Sequence, residues 1–134
     1  MSEENVEVIR DQFEAVNERD WDRAMSHYAE DVVLVVAADA FVEHGTYSGP
    51  EEVGRWFGNW FSTFKPGYHF ELEEFHDLGE RVLLITSHRG RGRTSGIEVH
   101  GENGYLYTLR DGKIIRAELW ATPADAREAA GLTD

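Results

Sequence analysis

There is no cysteine among the 134 residues, which excludes disulfide staples, thiol nucleophiles and thiolate metal sites. Positive charge is scarce: 13 Lys and Arg face 26 Asp and Glu, a formal net charge of −13. Such a surface repels phosphate backbones and anionic bilayers, so neither nucleic acid nor membrane is expected as a partner. No run is long and apolar enough to span a bilayer, and the opening SEENVEVIRDQFE is acidic and amphipathic, unlike a cleavable leader. A cytoplasmic protein is the expectation. Repeats and low-complexity tracts are missing too. No phosphate-cradling glycine loop precedes a helix and no nucleophile motif occurs, so no cofactor is expected. What the chain does have is length for one domain, residues 1–134, with a real core, and a generous 12% of aromatic residues that must be placed somewhere.

The organising stretch is Ile97 to Ala121, IEVHGENGYLYTLRDGKIIRAELWA. Asp-Gly between two alternating runs is a strong hairpin signal. A two-residue loop pairs Leu109 with Ile114, Tyr107 with Arg116 and Tyr105 with Glu118. A three-residue loop, with Gly112 left-handed in a bulge, pairs Tyr107 with Ile115, Tyr105 with Ala117 and Asn103 with Leu119. The two registers expose opposite faces of one strand relative to the other. The second separates the faces better and is the one expected. It gathers Tyr105, Tyr107, Leu109, Ile115, Ala117, Leu119 and Ala121 on a buried side, with Asn103 and two phenol hydroxyls as its polar handles. Leu106, Ile114 and Trp120 sit among the charges of the other side, which predicts a partner surface.

The chain before the hairpin reads as helices first and strands later. Val6, Ile9, Phe13 and Val16 lie at helical spacing and predict a helix over Glu4 to Glu18. Asp20 caps a second helix, Trp21 to Tyr28. VVLVVAA after Asp31 predicts a buried strand, and residues 39–49 a loop or short hairpin. Pro50 starts a third helix reaching Phe64, with Glu51 and Glu52 at its positive end, Val53, Trp56 or Phe57, Trp60 and Phe64 on its apolar face, and Phe61 widening that face. Tyr68 to His76 and Arg81 to Arg91 predict two further strands, and Ala124 to Ala130 a last helix ending at Gly131. This order argues an α+β fold with a curved antiparallel sheet, helices closing its open side into a cone.

ENVEVIRDQFEAVNERDWDRAMSHYAEDV, GTYSGPEEVGRWFGNWF, RGRGRTSG and YTLRDGKIIRAELW, in that order, resemble the nuclear-transport-factor-2-like superfamily and its SnoaL-like branch. The resemblance covers nearly the whole chain. It implies a cone-shaped, cystatin-like α+β barrel with a deep apolar pocket, and frequent dimerisation through the outer sheet face. Such folds host many activities. Where the related ketosteroid isomerases carry a general-base aspartate, this chain has about Val36. Where they place the tyrosine and protonated aspartate of the oxyanion hole, it has roughly Gln12 and Tyr105. Epoxide hydrolases of the superfamily pair two aspartates with an arginine; Arg89 imitates the arginine, but Asn103, Tyr105 and Leu119 supply no aspartate. The catalytic carboxylates of both enzyme types are not retained, so whether the chain is an enzyme stays open.

The resemblance and the face assignments together name a pocket lined by Tyr28, Val36, Trp56, Trp60, Arg89, Asn103, Tyr105, Tyr107 and Leu119. The catalytic candidates are His44 in the loop before the third helix, His88 or Arg89 on the Arg81 to Arg91 strand, and Tyr105. Val82 to Ile85 is apolar throughout, so alternation does not decide whether Arg89 or His88 faces inward. His69, Glu71 and Glu73 alternate on one strand face and invite a metal reading, but ligands on a single strand do not converge, and a solvated face and no metal are expected. The leading expectation is a binding domain whose aromatic-lined cone takes a small apolar molecule. The first alternative is an isomerase, cyclase or dehydratase acting on an enolisable carbonyl compound, with a histidine base and Tyr or Arg stabilising the oxyanion. The second is a dimeric interaction module without ligand.

Overall fold

The N-terminal stripe does form one helix, and its apolar face lies across the sheet. The computed structural model describes residues 2–41 and 43–132, with the elements α1 (Ser2–Glu18), α2 (Trp21–Met25), β1 (Tyr28–Val36), β2 (Gly45–Ser48), α3 (Gly49–Ser62), β3 (His69–Leu78), β4 (Arg81–Arg91), β5 (Glu98–Arg110), β6 (Lys113–Trp120) and α4 (Pro123–Ala129). Ile9, Gln12, Phe13 and Val16 of α1 are fully buried. α1 ends because Arg19 turns left-handed at φ +62°. Its N–H donates to Val16 O and that of Asp20 to Ala15 O, the paired C-terminal bonds that glycine usually supports. Arginine tolerates the position because its guanidinium donates to Asn17 O and Tyr68 O and lies over the Phe61 ring.

α2 is shorter than the sequence suggests. Asp20 caps it, accepting from Arg23 N, but it stops at Met25 and Tyr28 already belongs to β1. The strand captures these residues: Ile114 N donates to His27 O, and Tyr28 lies opposite Ile114. α1, α2 and the turn into β1 are tied by Asp11, which accepts from Arg23 and lies 2.6 Å from His27 Nε2. The Arg23 hydrogen bond, then that of His27, brings the Asp11 carboxyl down to about 2. Its contribution is therefore whole above the ordinary carboxylate range and fades as pH falls through about 2.

Six strands form one curved, unclosed sheet in the order β2-β1-β6-β5-β4-β3. It is mixed, not antiparallel throughout, because β1 runs parallel to β6, with Val36 opposite Leu119. The 39–49 segment contains β2, a short antiparallel partner of β1. The β5–β6 hairpin follows neither register along its whole length. At the tip Arg110 faces Lys113 and Leu109 faces Ile114, with Asp111 and Gly112 both at positive φ, the two-residue turn that matches strand twist. A bulge then takes up one residue, and Tyr107 faces Ala117 and Tyr105 faces Leu119. The expected inner face is kept for Tyr105, Tyr107, Leu109, Ala117 and Leu119, all buried. Displacing the bulge from Gly112 into the strand exchanges the two isoleucines: Ile114 is in the core and Ile115 is half exposed.

The outer face differs from expectation as well. Leu106 is buried with Leu83 and Ile85 beneath Ala126 and Ala130 of the α4 segment. Arg127 clamps α4 by two 3.0 Å bonds to Glu74 on β3, and Arg81 donates to Ala130 O. Of the three residues expected on an open dimer face, Leu106 is covered by the chain's own helix and Ile114 points into the core. Trp120 is half-buried beside the outer cluster.

Candidate functional site in the aromatic cone

The concave side of the sheet is packed with aromatic side chains. α3 presents Trp56, Phe57, Trp60 and Phe61, all buried. Phe13 of α1 meets Tyr105 edge-on at 5.0 Å and Phe70 of β3 at 5.5 Å. Tyr105 and Tyr107 lie parallel, 5.9 Å apart. Phe41, from the segment between β1 and β2, lies flat on Trp60 with centroids 4.3 Å apart.

The phase of β4 is settled by its two neighbours. Val82 and Leu84 belong to the cone, while Leu83 and Ile85 belong to the cluster under α4. A strand buried on both faces reads as a continuous apolar run, which is why alternation was silent here. His88 consequently faces the cone, its ring 6.3 Å from Trp60 and 6.2 Å from Phe70. Arg89 is exposed on the outer face, correcting its expected place in the pocket. Two glycines make room for the imidazole. A Cβ on Gly101 would stand 3.1 Å from His88 Nε2, and one on Gly90 would stand 2.7 Å from the Tyr68 ring that covers it.

Tyr68 links the histidine to α3. Trp60 Nε1 donates to Tyr68 OH at 2.8 Å, and that hydroxyl lies 2.8 Å from His88 Nδ1. A phenol hydroxyl that accepts from Trp60 can still donate its own proton or accept a second one, so either imidazole tautomer is accommodated. Desolvation, with His100 nearby, lowers the His88 pKa and keeps the ring neutral at neutral pH. Burial raises the Tyr68, Tyr105 and Tyr107 hydroxyls, which stay protonated as donors. The cleft of about 400 Å³ at this end of the sheet is mostly on the outer face: Glu71, Ser87, Arg89, His100 and Glu102 line it beside His88 and Gly101.

Among the described residues, five buried polar atoms around the cone have no hydrogen-bond partner: Gln12 Oε1, Thr86 Oγ1, Asn103 Oδ1 and the hydroxyls of Tyr105 and Tyr107. Tyr28 differs, since its hydroxyl accepts from Gln12 Nε2 at 3.1 Å. Asn103 makes only one long bond, donating to Ala121 O at 3.4 Å. Orphaned buried polar atoms are rare and need an explanation.

Of the expected pocket residues, Tyr28, Val36, Trp56, Trp60, Asn103, Tyr105, Tyr107 and Leu119 are all buried, and Arg89 is not. His44 is exposed, with its carbonyl accepting from Tyr47 OH, so it does not enter the cone. His69 and Glu71 are 3.6 Å apart on the half-exposed edge strand, and a bulge after Leu72 breaks the alternation that aligned Glu73 with them. Among the described residues no group of three or more His, Asp or Glu could hold a metal ion. Sequence reasoning missed Phe41, Tyr68 and Thr86. Phe41 lies in a segment without periodicity. Gly90 and Gly101, which face Tyr68 and His88, were the available signal for the other side of the cone.

Residues 9–117 match the SnoaL-like domain. No curated protein matches the chain. Several solved structures share its fold. TerC, co-crystallised with polyporic acid, is 21% identical with a TM-score of 0.77, covering 93% of this chain and 96% of that one. An NTF2-like protein from Burkholderia thailandensis is 22% identical with a TM-score of 0.78, covering 97% of each chain. A hypothetical protein with a ketosteroid isomerase-like fold from Catenulispora acidiphila, in complex with trimethylamine, is 15% identical with a TM-score of 0.75, covering 95% and 94%. At these identities the likeness establishes the curved α+β fold alone. The family rests on the domain match, which spans most of the sequence: the chain belongs to the SnoaL-like family.

Proposed function

We propose that this protein binds a small, mostly apolar, ring-containing molecule inside the cone, through aromatic contact and hydrogen bonds to the inner strands. The observation that carries the reading is the set of orphaned polar atoms. Thr86, Asn103, Tyr105 and Tyr107 are buried on the concave side with donors or acceptors that the protein does not use. An apolar enclosure with a few unspent polar groups is the usual form of a small-molecule site. Two proteins of the same fold were crystallised with small organic molecules, polyporic acid and trimethylamine. Tyr105→Phe and Tyr107→Phe separate this reading from a merely structural core. Each deletes a hydroxyl that has no protein partner, so the ligand-free protein should keep its stability or gain about 1 kcal/mol. The affinity for phenols or cyclic ketones found by calorimetric screening should fall about tenfold with each hydroxyl that the ligand uses. Loss of stability in both variants, with no ligand found for the parent, defeats the proposal.

His88 favours a second reading, an isomerase, cyclase or dehydratase acting on an enolisable carbonyl compound. A neutral imidazole faces the cone, and Tyr105 and Tyr107 are protonated donors with no acceptor. The expected result is deuterium wash-in alpha to the carbonyl of a cyclic enone, followed by NMR. Its rate should rise with pH as His88 loses its proton, with a midpoint below the ordinary histidine value because the folded pKa is lowered. His88→Gln should cost at least about 100-fold; an unchanged rate in that variant removes the reading. A homodimer stands as a further proposal. With Leu106 and Ile114 occupied internally, it would use the half-exposed outer residues Val33, Val35 and Trp120.

A further inference from the structure

We infer that Phe41 is the specificity-determining residue of this cone: its ring holds the place where a planar, uncharged ring of the ligand stacks on Trp60. The inference rests on the binding reading above and names both the ligand feature and the residue that competes with it.

The argument begins with how the three rings are attached. Trp56 and Trp60 belong to α3, are 2% exposed and meet edge-on at 4.9 Å. Each is also pinned by its polar end, Trp56 Nε1 donating to Glu43 O at 2.7 Å and Trp60 Nε1 to Tyr68 OH at 2.8 Å. They form a rigid corner. Phe41 completes that corner, 9° from parallel with Trp60 and 5.8 Å from Trp56 at 75°. Its attachment is of another kind. It lies outside any helix or strand and is half-buried. The turn before it is closed by Ala40 N donating to Ala37 O at 2.9 Å, and two residues after it Glu43 O accepts from Trp56 Nε1, so the backbone is held while the ring is held by contact alone. A phenyl side chain has no polar group to pin it.

The fixed corner therefore suits a flat ring, and the ring now in it is the one of the three that no side-chain hydrogen bond pins. Offset and edge contacts of this geometry are favourable for any planar aromatic, so a free ring gains the same faces that Phe41 gives up. The cost of displacing Phe41 lowers the apparent affinity by the fraction of time the corner is open. A saturated, puckered ring cannot lie flat on Trp60 and gains less. The sequence's net charge of −13 disfavours an anionic ring.

The experiment is calorimetric titration of the full chain with 2-naphthol, and with cyclohexanol as the non-planar probe. Phe41→Ala should bind 2-naphthol about tenfold more tightly than the parent, with cyclohexanol changed less than threefold. Phe41→Trp, which fills the corner more firmly, should bind 2-naphthol about tenfold more weakly. If Phe41→Ala does not fold by circular dichroism, Phe41→Leu serves instead. It keeps bulk but lacks a flat face, and a two- to fivefold gain is then expected. Equal affinity of parent and variants for 2-naphthol overturns the role of Phe41 and leaves the binding reading standing. No binding of either probe to parent or variants overturns both.

Discussion

Phe13→Ala should lower the stability of the protein by about 3–5 kcal/mol, the range for removing a buried phenyl ring. Phe13 is fully buried and is the ring through which α1 grips the sheet. It meets Phe70, Tyr105 and Tyr107 edge-on at 5.5, 5.0 and 6.2 Å. Deletion loses the transfer free energy of the ring and three edge contacts, and leaves a cavity that rigid aromatic neighbours close poorly. In urea, with a slope of about 2 kcal/mol per molar, the midpoint should fall by about 2 M. Ile97→Ala is the control. Ile97 is 65% exposed, and its loss should stay within about 0.5 kcal/mol. A cost for Phe13→Ala below about 1.5 kcal/mol would mean that α1 is not held by this ring.

Gly104→Val is expected to cost about 3 kcal/mol, at the top of the overpacking range, because it forces α4 off the sheet. A Cβ at Gly104 would overlap the Ala126 methyl and touch Ile85 Cδ1 at 3.5 Å. The obstacle is helix and strand rather than the tip of a flexible side chain, so rotation cannot relieve it. The diagnostic comparison is a chain ending at Ala121. With α4 gone only the ordinary 3.5 Å contact with Ile85 Cδ1 remains, and the same substitution should cost less than about 1 kcal/mol there. The difference between the two costs measures the coupling of Gly104 to the helix. Equal costs in the two backgrounds would show that the strain lies within β5 itself.

Much of this architecture is written in local patterns. The stripe of α1, the proline-started α3 and the alternation that puts Tyr105 and Tyr107 inside all follow from periods of 3.6 and 2. The missed features share one cause: they depend on what lies across the sheet rather than along the chain. Ile114 and Ile115 are chemically identical, so nothing local says which one the bulge turns inward. Val82 to Ile85 carries no alternation because both of its faces are covered, and the covering helix is encoded forty residues later by small residues, Ala126 and Ala130. Gly104 between Asn103 and Tyr105 was the one visible trace of that close approach. For the site, the rings of α3 were legible as a stripe. The partnership of Trp60, Tyr68 and His88 needs three elements to meet and leaves no mark of spacing.

The seam between β1 and β6 has a consequence for how the protein is made. Val36 lies opposite Leu119, 119 − 36 = 83 residues further along, whereas β3, β4 and β5 each pair with the next strand in sequence. Closing so distant a contact is slow, and the entropy of the intervening loop is spent before any pairing rewards it. The meander can assemble from neighbours, but β1 must wait for β6, the last strand of the sheet. During that wait its Val32-Val33-Leu34-Val35-Val36 edge is an open template for another chain.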